Sequence, residues 1–216
     1  MTHLIRSKYM PNINQKKVQR LMKICGLQAK IRRKRKFITY TKSNEKIYNI
    51  LNRQFYPSKL NEKLVTDISY LTVGNFRLYL SVLIDLYNKE VIGYVISNDM
   101  RLNIATDLIK NYLQKNTVNG TMIHSDQGAH YTAQVYQNLL KEYHITQSMS
   151  RRGCCYDNAC VENFFGHLKS ELIYNIKINS KEQLQLEVEK YIIFYNNERI
   201  QLKLKGMSPV EYRNHS

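Results

Sequence analysis

No stretch of this chain is apolar over the ~18 residues a bilayer-crossing helix needs, and the richest run, Leu78 to Leu86, is too short to span. The first thirty residues, studded with Lys and Arg and without an apolar centre, do not read as a secretory leader. A cytoplasmic location is therefore the default expectation. The four cysteines, Cys25, Cys154, Cys155 and Cys160, show no Cys-x-x-Cys spacing, so neither a zinc site nor a disulfide framework is expected. No leucine heptad recurs, which removes a coiled-coil dimerisation segment. Acids are scarce at the start: residues 1 to 60 carry sixteen Lys or Arg against Glu45 alone, while residues 61 to 216 carry seventeen against sixteen acids. Nearly all of the formal net charge of +16 thus sits in the first quarter.

Six of the seven residues from Lys30 to Lys36 are basic, namely Lys30, Arg32, Arg33, Lys34, Arg35 and Lys36. Such a cluster neutralises phosphates with release of counterions, which points to nucleic acid. Residues 14 to 25 place Val18, Leu21, Met22 and Cys25 at helical spacing, with Asn14 as cap and Gly26 just past the end. This is the one good helical segment expected before the basic run. A second helix is expected near Glu45 to Phe55, with Ile47, Ile50 and Leu51 on one side, and Pro57 marks a break. Residues 56 to 62 read as a linker.

With 43% hydrophobic residues, the remainder is long enough to bury a core. Residues 63 to 72 form a strand whose alternation puts Val65, Asp67 and Ser69 on one face. Residues 77 to 86 and 91 to 97 form a hairpin around Tyr87-Asn88-Lys89-Glu90. There follow a helix from Asn103 to Gln114, a strand at Thr121 to His124, a helix from Thr132 to Tyr143 and a strand at Ile145 to Ser148. A long helix begins at Ser180, which has capping-box spacing to Gln183, and carries the stripe Leu184, Val188, Tyr191, Ile192 and Tyr195. A short one begins at Ser208-Pro209. The pattern by itself shows an α/β layer architecture.

Three carboxylates stand in distinctive settings: Asp67 in Thr66-Asp67-Ile68-Ser69-Tyr70, Asp126 in His124-Ser125-Asp126-Gln127-Gly128, and Glu162 in Asn158-Ala159-Cys160-Val161-Glu162. A strand interior disfavours Asp, and a buried carboxylate without compensation is costly, so metal ligation supplies a reason for Asp67. Hard carboxylate oxygens suit Mg²⁺ or Mn²⁺, and a pair of such ions clamps the attacking and leaving oxygens of a phosphoryl displacement. Val161, Phe165, Leu168 and Leu172 make a core face, with Asn158, Glu162, Gly166 and Lys169 in the adjacent row. Lys169 then lies roughly 10 Å along the axis from Glu162, placed to hold a DNA phosphate. Arg151 and Arg152 in the loop before that helix are further phosphate candidates. His124 shares a strand face with Asp126 as a supporting residue, and Gly166 leaves room for DNA to approach.

These motifs, with Gln147-Ser148-Met149-Ser150-Arg151 and Cys155-Tyr156-Asp157-Asn158-Ala159, resemble the DDE transposases of bacterial insertion sequences. The IS3-type group is the nearest match, with the retroviral integrase core a more distant relative. The resemblance covers residues 60 to 213 and implies an RNase H-like mixed five-stranded sheet flanked by helices, preceded by a small basic helical segment. It divides the chain into a basic DNA-binding part with its linker (1–56), a catalytic core (57–178) and a C-terminal helical extension packed on the core (179–216). It implies hydrolysis of a phosphodiester at an element's end and strand transfer by the freed 3′-hydroxyl, with Asp67, Asp126 and Glu162 holding two Mg²⁺ ions, for which Mn²⁺ substitutes. It also implies insertion-sequence ends and target DNA as partners, a homo-oligomer assembled on DNA, an upstream-frame polypeptide that supplies the rest of a helix-turn-helix, and a bacterial, nucleoid-associated location. Gln201 stands where the family usually has His after Tyr195-Asn196-Asn197-Glu198-Arg199, and Leu64 replaces a frequent Trp. The rival readings are a catalytically decayed DNA-binding regulator and a non-transposase nuclease on the same fold.

Overall fold

The computed structural model describes residues 1–27, 47–101, 103–151 and 153–215. Two helices open the chain, α1 over Thr2–Lys8 and α2 over Gln15–Ile24. Asn14 caps α2 by accepting from the Lys16 amide at 2.8 Å, and Gly26, at φ +68°, ends it where a side chain would be strained. The expectation of a single helix before the basic run is therefore corrected to two. None of the seven residues of α1 is buried, and among the described residues no side chain caps it, so it carries neither signal by which a helix is read from sequence. His3 of α1 packs against Gly206, where any side chain would run into the imidazole.

The helix expected near Glu45 to Phe55 is also corrected: residues 47–55 form an irregular strap. Leu51 is buried in one core cluster whereas Ile47 packs against the other, so their spacing serves two sites instead of one helical stripe. Ser148 Oγ accepts from the Ile50 and Leu51 amides at 2.9 and 3.0 Å, and the Tyr48 carbonyl accepts from the Met149 amide. The strap continues into 56–62, where the Asn61 amide donates to Asp85 Oδ2 at 2.7 Å.

The sheet contains β1 (Lys63–Val73), β2 (Phe76–Asp85), β3 (Val91–Ser97), β4 (Met122–Ser125) and β5 (Thr146–Met149), in the order β3-β2-β1-β4-β5. β1 to β3 pair antiparallel, and β4 and β5 run parallel to β1, so the sheet is mixed. α3 (Ile104–Leu113), α4 (Ala129–Thr132) and α5 (Gln134–Glu142) cover one face through Leu64, Leu83 and Ile123. α6 (Ala159–Leu168) and α7 (Lys181–Asn197) cover the other through Val65, Leu80 and Val82. Leu64 and Val65 thus serve opposite cores, as a period of two requires. The helix expected at Thr132–Tyr143 is α5, which starts at Gln134 because Ala133, extended at ψ 135°, separates it from α4.

α6 runs into a π-helical turn at Lys169–Ile173. Its extra residue moves the apolar stripe by one position, so Ile173 is buried at 5% exposure while Leu172 is only partly covered. Ser180 caps α7 by accepting from the Gln183 amide, and Gln183 reaches back to the Asn179 amide, one residue beyond the usual capping-box partner. All five residues of the α7 stripe are buried. α8 (Pro209–Asn214) has a full capping box between Ser208 and Glu211. Among the described residues no helix is long and apolar enough to cross a membrane.

Candidate active site and nucleic-acid interface

Asp67 and Asp126 are brought together by strand register. β1 and β4 pair from Lys63 opposite Met122 to Val65 opposite His124, and each Asp follows two residues past that last pair. Burial, then the neighbouring Asp126 and, more weakly, Glu162 push the Asp67 carboxyl up to about 8, against a hydrogen bond from the Ile68 amide and the charge of Lys169. Burial likewise raises Asp126, offset by the Gly128 amide, which donates to its Oδ1 at 2.8 Å, and by the charge of His130. Gly128 itself has φ −64°, open to any residue. Its glycine is needed for close approach, because a Cβ there would lie 2.8 Å from the same Oδ1.

Glu162 is exposed in the first turn of α6, beside the buried Val161 that anchors the helix to the sheet. Among the described residues, no three His, Cys, Asp or Glu side chains are gathered closely enough to hold a metal ion. The donor chemistry nevertheless suits a hard divalent cation: Asp67 feels both of the other carboxylates and holds its proton far above the ordinary carboxylate range. Lys169, in the π-helical turn, donates to Ser69 Oγ at 2.7 Å and stands 5.1 Å from the Tyr70 ring centroid. It thus reaches β1 two and three residues beyond Asp67.

His124 is fully buried, with Nδ1 2.8 Å from Ser148 Oγ and Nε2 3.1 Å from Ser150 Oγ. Burial holds its pKa down to about 4, so it is a neutral packing residue behind Asp126. Arg151 is committed to Asp157 through Nε at 2.9 Å and Nη2 at 3.0 Å. Asn158, 4% exposed, begins α6 without capping it, and among the described residues its Oδ1 meets no hydrogen-bond donor. Gly166 is half-buried. Arg152 and the basic run Lys30, Arg32, Arg33, Lys34, Arg35 and Lys36 lie outside the described residues.

Sequence reasoning misses the role of Asp157. It is fully buried and, besides Arg151, accepts from Asn49 Nδ2 and Arg53 Nε, both at 2.8 Å, tying the strap to the start of the Glu162 helix. Its hydrogen bonds with Arg151 and Arg53 hold the carboxyl well below the usual range in spite of burial. An Asp inside the Cys155-Tyr156-Asp157-Asn158-Ala159 motif, just before a helix, is the available signal. The Tyr195-Asn196-Asn197-Glu198-Arg199 element is structural: Asn196 exchanges two hydrogen bonds with Val91, and Arg199 pairs with Glu171 at 2.7 Å and contacts His167.

Residues 57–155 and 162–216 each match an integrase core domain. Over 203 residues the chain is 45% identical to a protein named as transposase InsK of insertion sequence element IS150 from Escherichia coli K12, covering 94% of this chain and 72% of that one. Over 217 residues it is 36% identical to transposase InsF for insertion sequence IS3A of the same organism, covering 99% and 75%. The chain belongs to the IS3-type DDE transposases. Solved structures extend the likeness of this transposase at the level of fold. The catalytic core domain of HTLV-2 integrase with magnesium superposes with a TM-score of 0.52 at 18% identity, over 71% of this chain and 96% of that one. A chain of the simian T-cell lymphotropic virus intasome gives 0.61 at 16% identity, over 81% of this chain and 61% of that one. The mixed five-stranded sheet flanked by helices is accordingly the RNase H-like fold.

Proposed function

We propose that this transposase is a metal-dependent polynucleotidyl transferase that hydrolyses a phosphodiester at an insertion-sequence end and then joins the freed 3′-hydroxyl to a second phosphodiester. The observation that supports the reading most is geometric: Asp67 and Asp126 stand at matching steps past the last β1–β4 pair, with Glu162 near enough for its charge to add to burial and the Asp126 charge in raising the half-buried Asp67 to about 8. A group so disposed gains by giving up its proton to a cation that neutralises all three acids. Asp67, Asp126 and Glu162 would hold Mg²⁺, or Mn²⁺, which supplies Lewis-acid polarisation of the phosphoryl oxygens and an activated nucleophile.

The rest of the work falls to the protein's own groups. The Gly128 amide orients the Asp126 carboxylate, and Val161, Phe164 and Phe165 fix the helix that presents Glu162. Lys169 holds a phosphate beside Asp67, and the basic run grips duplex flanks through sequence-independent contacts. Residues 1–56, 57–178 and 179–216 are proposed as the DNA-binding, catalytic and packing segments, acting as a homo-oligomer on DNA, with an upstream-frame polypeptide adding selectivity for ends, in the bacterial cytoplasm at the nucleoid. The test is a strand-transfer assay on element-end duplexes with Mg²⁺, comparing the wild type with Asp67→Asn, Asp126→Asn and Glu162→Gln. DNA binding without any joining by the wild type would instead favour a decayed regulator.

A further inference from the structure

β1 parts from β4 after Val65, so from Asp67 onward one edge of the strand is open. Near its far end Tyr70 is 57% exposed, although Leu71 beside it is fully covered. Tyr70 pairs across β2 with Tyr79, and Arg77, two residues from Tyr79, shares the same face. With Ile68 and Met100 these side chains line an open cavity of ≈ 450 Å³. The Arg77 guanidinium stands 5.6 Å from the Tyr70 ring centroid, and Lys169 Nζ 5.1 Å from it. Residues 61 to 216 are almost neutral overall, so two cations on one exposed ring, three residues from Asp67, form a local positive site that composition does not demand.

Tyrosine rings, a thioether and an isoleucine suit a flat apolar ligand, and a guanidinium beside an ammonium suits an anion joined to it. A nucleotide has both parts. A base within a duplex keeps its faces stacked, so the nucleotide that fits has left the helix. The geometry points to a pocket at the open edge of β1 that takes one unpaired nucleotide of the strand being cut, with its base against Tyr79 and Met100 and its phosphate between Arg77 and Lys169. This assignment rests on the reading of Asp67 as part of the cutting site. Strand alternation puts Asp67 on the opposite face of the sheet from Tyr70, so the captured nucleotide turns round the open edge of β1, about 10 Å along the strand from Asp67. Capture there keeps the DNA end frayed and the neighbouring phosphate accessible to the acids.

The full chain carrying Asp67→Asn, without added metal, is titrated with a blunt duplex and with the same duplex frayed by mismatches at one end, 2-aminopurine standing at the frayed position. The frayed duplex should bind about fivefold more tightly, with the fluorescence quenched by stacking. Tyr79→Leu should lose both effects and Tyr79→Phe keep them, while blunt-duplex affinity in each stays within about twofold, which also reports an intact fold. Arg77→Gln should lower the salt dependence on the frayed duplex by about one counterion. Equal affinity for the two duplexes, or a preference that survives Tyr79→Leu, would overturn the pocket. Quenching only when the probe sits in an interior bulge resembling distorted target DNA would overturn its assignment to the cut strand. Binding is read without cleavage, so a failure of the carboxylate reading would show separately, as joining activity retained by Asp67→Asn in Mg²⁺.

Discussion

Asp67 and Asp126 stand at equivalent steps beyond one parallel pair, Val65 opposite His124, and are near enough for the Asp126 charge to add to burial in raising the Asp67 carboxyl. The burial and the like charge raise Asp67 from 3.8 to about 8, which means the folded chain holds this proton more tightly than the unfolded one. Its contribution to stability is full below the unfolded value and is lost as pH rises through about 8. Asp67→Asn cannot ionise, and in chelator it should stabilise the fold by roughly 1–3 kcal/mol at alkaline pH and hardly at all near pH 4. Mg²⁺ or Mn²⁺ should raise the wild-type melting temperature and leave the variant unmoved. Denaturant titrations across pH, with and without metal, check both; a variant as pH-sensitive as the wild type would remove Asp67 as the source. Strand transfer should vanish in this variant and in Asp126→Asn and Glu162→Gln.

Gly128 gives a second prediction. A methyl group there would lie 2.8 Å from Asp126 Oδ1, and the carboxylate would have to leave its amide bond. Gly128→Ala should cost about 1–2 kcal/mol of stability and lower strand transfer at least about tenfold, with DNA affinity unchanged. Single-turnover joining measured beside filter binding separates the two effects.

A third concerns Asp157, whose carboxylate is buried while Arg53 and Arg151 are about half exposed. Asp157→Asn should destabilise by about 1–3 kcal/mol at pH 7, discounted for the solvent that screens both guanidinium groups. The folded pKa is depressed, so this contribution holds above the ordinary carboxylate value and fades only as pH falls through the lowered one. Hydrogen exchange should quicken at residues 48–53 in the variant. Unchanged exchange there would mean that the Ser148 hydrogen bonds hold the strap without Asp157.

The basic run gives a fourth. Replacing Lys30, Arg32, Arg33, Lys34, Arg35 and Lys36 by Gln in the full chain should reduce the slope of log affinity against log salt by up to about 5. Substitution is preferable to truncation at residue 60, because Leu51 is a core residue. An unchanged slope would make the run a solvated segment.

The sheet and its helices are legible in the sequence because their signals are local. Alternation at Leu64 and Val65 shows in the order of residues alone, as do the caps at Asn14, Ser180 and Ser208. The three carboxylates stand out by context, but their proximity depends on the β1–β4 register and on the face of α6, which no local pattern states. Ile47 and Leu51 mislead because two side chains four apart imitate a helix face even when they pack into separate cores. The π-helical turn is invisible because its single extra residue leaves no mark on composition, yet it decides that Ile173 is buried where periodicity favours Leu172. Arg151 reads as a phosphate contact because its partner Asp157 lies within the same loop-to-helix junction, where sequence shows neighbours but not which of them pair.

The strap fastened to Ser148 and Asp157 acts as the fixed end of a leash. Between Lys36 and Tyr48 the chain, even fully extended, reaches about 40 Å. In the proposed complex the basic run therefore cannot hold duplex more than roughly twelve base pairs' rise from the strap's anchorage beside the Glu162 helix. If that complex forms, inserting residues between 37 and 47 should widen the spread of cut positions along the DNA while the acids stay where they are.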